Sequence, residues 1–239
     1  MRSGARVWSP AHLLPVAALG AWAALFWWLM LTGRTSLYLS TRTDWVVPVG
    51  AVLLTISAVG RLALARVDSP ERIEPRAAWI TAAIVLPVVL IIATPPASLG
   101  TFAADRRGGL VVGAGPAGST DDISHGGVSL VDVAFALRTR EAMKALVARA
   151  GTPVEFVGFV DRPAHMAADE FYLTRFLVTC CAADAVSLQV RVVGATPGAL
   201  KPDDWVRVEG RIYPLGREVL VNASDVVKVH RPKHPYLNG

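Results

Sequence analysis

The chain has 239 residues, 53% of them hydrophobic and only 18% charged, with a formal net charge of +5 and a mean hydropathy of +0.43. That balance excludes a disordered chain, and two cysteines are too few for a disulfide scaffold or a Cys-rich zinc module. It points to a membrane protein, in which positive residues matter by where they lie against the apolar blocks.

The first apolar block, residues 13–31, reads LLPVAALGAWAALFWWLML and carries no charge. A helix of about 19 residues rising 1.5 Å each just crosses a hydrocarbon core of roughly 30 Å. Its apolar run is longer than that of a cleaved signal peptide, and Thr32, Gly33 and Arg34 offer no small-x-small cleavage site, so it reads as a retained anchor. The second block, 45–65, is interrupted only by Arg61, close enough to one end to snorkel to the headgroups. The third, 77–94, is stopped by Pro95 and Pro96. Pro15, Pro48 and Pro87 interrupt these helices, which a bundle tolerates when neighbours take up the freed carbonyls. Residues 1–96 are therefore expected to form a transmembrane domain in the lipid bilayer.

Orientation follows from the arginines. Arg2 and Arg6 precede the first span, and Arg61, Arg66, Arg72 and Arg76 cluster around the second loop, against Arg34, Arg42, Arg106 and Arg107 on the other side. The bias favours a cytoplasmic N-terminus, and three crossings then carry everything after Thr94 outside the cytoplasm.

Residues 97–127 are rich in Gly, Ala, Ser and Pro and read as a linker. Residues 128–151 place Val133, Leu137 and Leu146 at helical spacing and end on Gly151, which predicts a helix with a break near Thr139. From Pro153 the period changes to two, with five strand-like runs: VEFVGFV, FYLTRFLVTCC, VSLQVRVV, WVRVEGRIY and EVLVNASDVVKV. In the fourth, Val206, Val208 and Ile212 alternate with Arg207, Glu209 and Arg211, so one face is buried and one wet. The expected fold class is an α+β membrane protein, three transmembrane helices followed by a small five-stranded OB-like β-barrel over residues 152–239.

Gly113, Gly115 and Gly118 spell G-x-G-x-x-G, similar to a dinucleotide-binding fingerprint. That chemistry needs a strand before the glycines and a helix after them to hold the pyrophosphate. Gly126 and Gly127 fall where the first helical turns should be, so the segment reads as linker and no dinucleotide is expected.

Cys180 and Cys181 close the second strand run. Strand alternation predicts one buried and one accessible thiol, Cys180 sharing a face with Phe176 and Val178, Cys181 with Arg175 and Leu177. Four readings stay open: two small packing residues; a metal site completed by Asp184 and by His165 or Asp169; a vicinal disulfide; and a catalytic thiol, for which no nucleophile signature is present. His165 and Asp169 lie in a polar loop between the first two strands, and His230 and His234 in a tail that reads as solvated and basic.

The segments GFVDRP, FYLTRFLVTCCAADA, WVRVEGRI and RPKHPYLNG, with Arg175, Phe176, Cys180, Cys181, Ala183, Asp184 and Ala185 as the most specific set, resemble the YcgQ family of uncharacterised bacterial membrane proteins. The resemblance implies an accessory subunit beside a predicted permease and an association with zinc homeostasis. The resulting expectation is a non-enzymatic subunit in the bacterial cell membrane whose external domain binds a permease, a zinc ion through Cys180, Cys181, Asp184 and His165, or both, with Arg175 as an ion-pair partner or anion contact. The alternative is an extracytoplasmic thiol-redox protein using the vicinal pair. Nucleic acid is not expected, because the positive charge gathers around the spans.

Overall fold

The computed structural model describes residues 7–67, 73–94, 98–107, 120–216 and 218–238. The chain divides into two compact units, one of residues 1–35 and 43–96, the other of 36–42 and 97–239. The glycine fingerprint at Gly113, Gly115 and Gly118 lies outside the described residues.

In the first unit, β1 (Val7–Trp8), α1 (Pro10–Leu31), α2 (Val46–Ala63), β2 (Arg66–Val67) and α3 (Pro75–Ala93) follow one another, and β1 pairs with β2 antiparallel. All three helices are long and apolar enough to cross a membrane. Large apolar side chains such as Ile56, Trp79 and Leu86 are exposed, the reverse of a helix that must hide its apolar face from water. Polar tips find partners on neighbouring helices: the Trp27 indole donates to Thr55 Oγ1 at 3.1 Å, and the Trp22 indole donates to the Ile84 carbonyl at 3.1 Å, within the turn preceding Pro87. Gly50 lets α2 approach α1, since a Cβ there would stand 2.6 Å from the Phe26 ring. Pro15 and Pro87 lie inside helices, whereas Pro48 falls in the first turn of α2, where an amide N–H has no intrahelical partner to lose.

The second unit contains α4 (Thr101–Arg107), α5 (Thr120–His125), α6 (Leu130–Ala136), α7 (Arg140–Ala148), β3 (Pro153–Asp161), β4 (Phe171–Val178), β5 (Val186–Val193), β6 (Trp205–Leu215), β7 (Glu218–Lys228) and β8 (Leu237–Asn238). The stretch expected as a linker thus holds two short helices. The helical break near Thr139 occurs as expected: Leu137 closes α6 and Thr139 precedes α7. Ser129 and Asp132 form a capping box that starts α6.

The ladder runs β3-β6-β7-β5-β4, and β4 pairs back onto β3 to close a five-stranded barrel. Neighbouring strands are antiparallel except β5 and β7, which run parallel; this is the order of an OB-type Greek-key barrel. Its interior is filled by Phe156, Phe171, Leu173, Val190, Val208 and Ile212, together with Ile123, Val133 and Leu146 from α5, α6 and α7. Val206, Val208 and Ile212 are fully buried while Arg207, Glu209 and Arg211 are exposed, so the period-two reading of this strand holds.

A second apolar cluster forms from Phe159, Phe176, Val178, Ala185, Tyr236 and Ala104. Phe159 stacks on Phe176 with ring centroids 5.8 Å apart, and Trp205 tilts against Phe159 at 5.9 Å. Asp203 fastens the segment leading into α4, its two carboxylate oxygens accepting from the Thr101 N–H at 2.7 Å and hydroxyl at 3.2 Å. The C-terminal tail, expected to be solvated, is instead docked: Pro235 and Tyr236 are buried and β8 pairs with β4, although His230 and His234 remain exposed.

Candidate metal centre

Strand β4 ends at Val178, three residues before the sequence pattern suggests, and the cause is Asp184. A single 3-10 turn over Ala182–Asp184 swings this carboxylate back toward the strand end. There Oδ1 accepts the Thr179 N–H at 3.0 Å and Oδ2 the Cys180 N–H at 2.7 Å. Charge-assisted bonds to a carboxylate are stronger than neutral ladder bonds, so the backbone leaves the sheet and turns.

Once the strand has ended, alternation no longer decides where the thiols point. Cys180 is exposed and Cys181 half-buried, both unbridged. The prediction of one buried thiol is therefore corrected, and packing does not account for the pair. The Cys180 thiol donates to Cys181 Sγ at 3.6 Å. Two sulfurs bound tetrahedrally to one zinc at about 2.3 Å each would lie roughly 3.8 Å apart, so the observed separation already suits a shared cation. The donor atoms of Cys180, Cys181 and Asp184 all lie within 4.8 Å of one another. Two soft sulfurs and one oxygen favour zinc or a similar borderline cation over calcium or magnesium. Three protein donors leave a tetrahedral ion one open position.

His165 and Asp169 stand elsewhere. Both are exposed in the loop between β3 and β4, whereas the thiols follow the far end of β4. An eight-residue strand at about 3.3 Å per residue spans roughly 26 Å, which keeps His165 out of the Cys-Cys-Asp group. Arg175 is engaged by the chain's own backbone. It donates to the carbonyls of Pro235 at 3.2 Å, His234 at 3.1 Å and Val157 at 3.4 Å, and its guanidinium lies 6.0 Å from the Trp205 ring centroid. It fastens the tail, and burial pulls its pKa below the usual arginine range.

Electrostatics at the group are set by the carboxylate. The hydrogen bond to Asp184, followed by the one to Cys181, pushes the Cys180 thiol up to about 11. For Asp184, partial burial raises the pKa, but hydrogen bonds from the Cys180 thiol and from the Cys180, Thr179 and Cys181 N–H groups outweigh it and hold the carboxyl below its usual range. At neutral pH Cys180 is thus a protonated thiol beside an ionised Asp184 carboxylate. A zinc ion must displace the proton of each thiol it binds, so two thiolate ligands make zinc affinity rise by up to about a hundredfold per pH unit. Competition titrations at three pH values between about 6.5 and 8.5 check this; a rise of about tenfold would leave one thiol as ligand, and a pH-independent affinity would leave neither.

Sequence reasoning did not find the third wall of the site. Segment 36–42 joins α1 to α2 yet packs within the barrel unit. Leu39 forms an isolated antiparallel bridge with Cys181, the Ser40 N–H donates to the Cys180 carbonyl at 3.1 Å, and the Ala182 N–H donates to the Tyr38 carbonyl at 2.8 Å. In such a pairing the Leu39 and Cys181 side chains stand on one face, which accounts for Cys181 being the less exposed thiol. No local pattern in these residues announces a contact so distant in sequence.

Fold and site together define a class: an OB-type barrel bearing two adjacent thiols and a carboxylate at a strand end, in a chain with three helices of membrane-spanning length. Residues 123–238 match the family model described as the DUF1980 C-terminal domain, which supports an uncharacterised DUF1980-type family. No curated protein matches the chain.

Proposed function

We propose that this protein is a membrane-anchored, non-catalytic accessory subunit whose barrel binds a zinc-like cation through Cys180, Cys181 and Asp184 and works beside a permease. The observation that carries the metal reading is the convergence of two thiols and one carboxylate within 4.8 Å at an accessible strand end. The thiol-redox alternative uses the same sulfurs, but a Cys180 thiol pushed up to about 11 is a poor source of the thiolate that exchange requires. It also leaves Asp184 without a chemical part.

Three helices without an internal run of ionisable side chains are too few to enclose a conduction path, which supports a partner permease. An external barrel is supported by the arginine bias. Segment 36–42 belongs to the barrel unit, which agrees with three crossings and does not choose the side. A nucleic-acid role is disfavoured because Phe159 and Phe176, which could have stacked bases, are buried against the chain's own Ala104 and Tyr236.

The test is a metal titration of the full chain in detergent. One equivalent of zinc is expected to bind, with calcium and magnesium unable to compete at a hundredfold excess. Displacement of zinc by calcium would exclude a thiolate site.

A further inference from the structure

Resting on the metal reading above, we infer that Ser40, Tyr236 and Asn238 are positioning residues of the thiol site, and that the connector between α1 and α2 is tightened when the site is filled. The backbone around the cysteines is divided between two claimants. Asp184 takes the N–H groups of Thr179 and Cys180. The connector takes the Cys180 carbonyl and the Ala182 N–H. Cys180 and Cys181 therefore have their peptide planes fixed from one side by a ligand of the site and from the other by residues 38–40.

The connector is itself fastened at points close in space and remote in sequence. Asn238 Oδ1 accepts from the Ser40 hydroxyl at 3.0 Å and from the Thr41 N–H at 3.3 Å. The Ser36 hydroxyl donates to the Lys233 carbonyl at 2.7 Å. The buried Tyr236 hydroxyl donates to the Leu37 carbonyl at 3.1 Å and accepts from the Leu99 N–H at 3.3 Å. These side chains hold a short bridge whose backbone meets the Cys180–Ala182 turn through the Ser40 N–H and the Tyr38 carbonyl.

A cation held by both sulfurs, whose 3.6 Å separation already suits it, restricts the backbone angles of Cys180 and Cys181 to those that keep this geometry. Those angles set where the Cys180 carbonyl and the Ala182 N–H point, and these are the two groups the connector reads. Binding linkage is reciprocal: if zinc strengthens the connector, the connector strengthens zinc by the same factor. Residues 36–42 lie between α1, which ends at Leu31, and α2, which begins at Val46.

The test uses the full chain in lipid nanodiscs with zinc as the probe, following amide exchange in peptides covering residues 36–42. One equivalent of zinc is expected to slow exchange there about tenfold and to leave it unchanged in the Cys180→Ser/Cys181→Ser protein. Ser40→Ala and Tyr236→Phe, neither of which removes a ligand, are expected to weaken zinc about fivefold, at the lower end of typical coupling between sites. Ser40→Ala guards against Tyr236→Phe disturbing the fold. Stoichiometric zinc with unchanged connector exchange overturns the coupling alone. No zinc binding at all overturns the coupling and the metal reading together.

Discussion

Replacing both Cys180 and Cys181 by serine is expected to remove tight zinc binding while leaving the barrel folded. Neither thiol belongs to a core cluster. The bonds that shape the turn run through Asp184 and the backbone, and serine preserves them. Losing an outer-shell partner of a metal site costs about 10–100-fold in affinity, so losing two sulfur ligands should cost at least about 100-fold. Linkage offers a second readout. Zinc at a hundred times its Kd should stabilise the native protein by about 2.7 kcal/mol, and at the same concentration should barely affect the variant. A chromophoric chelator competition and a thermal melt with and without zinc measure the two effects. Unaltered affinity would remove the thiols from the site, and an unfolded variant in zinc-free buffer would return them to a packing role.

The largest effect on folding is expected from Gly210→Val. Gly210 is buried on β6 at a register irregularity between Glu209 and Gly210, where β7 crosses close by. A Cβ there would stand 2.3 Å from the Asn222 carbonyl oxygen, 2.9 Å from Val221 Cγ1 and 3.0 Å from Ala223 Cα. Two of these are backbone atoms held by the ladder, so no rotamer change relieves the clash, and β6 must separate from β7. Overpacking a well-filled interior costs about 1–3 kcal/mol and more where backbone must move. We expect about 3 kcal/mol or more, a large fraction of the stability of an ordinary domain. Gly127→Ala serves as the control, since nothing lies within 4 Å of a Cβ at that position; it should stay within about 0.5 kcal/mol of the native protein. Denaturant midpoints compare the two, and a Gly210→Val protein as stable as native would contradict the close approach of the strands.

The parts of this molecule that sequence makes legible are those governed by neighbouring residues. Apolar runs of membrane-crossing length become α1, α2 and α3. The alternation of Val206, Val208 and Ile212 with charged residues becomes β6, and the weakening of helical pattern at Thr139 becomes the gap between α6 and α7. The site was half legible. Cys180, Cys181 and Asp184 are close in sequence and come together, but their exposure was misjudged because alternation was extended past the point where Asp184 ends the strand. His165 belongs to the loop at the opposite end of β4, a separation that spacing alone does not reveal.

What sequence did not disclose depends on contacts between distant residues. Ser40 and Asn238 are 198 positions apart, and Tyr236 and Leu37 are 199 apart. No helical or strand period links such pairs, so the tail reads as solvated. Arg175 shows the same limit. Its three carbonyl acceptors come from β3 and the tail, and only the assembled barrel turns a candidate anion contact into a fastener of the C-terminus.

The central claim is that two sulfurs and one carboxylate of the barrel hold a single cation. X-ray absorption at the zinc edge, on full-length protein loaded with one equivalent, tests it most directly. Two sulfur scatterers at about 2.3 Å together with lighter atoms near 2.0–2.2 Å are expected. A shell made only of oxygen and nitrogen would contradict it.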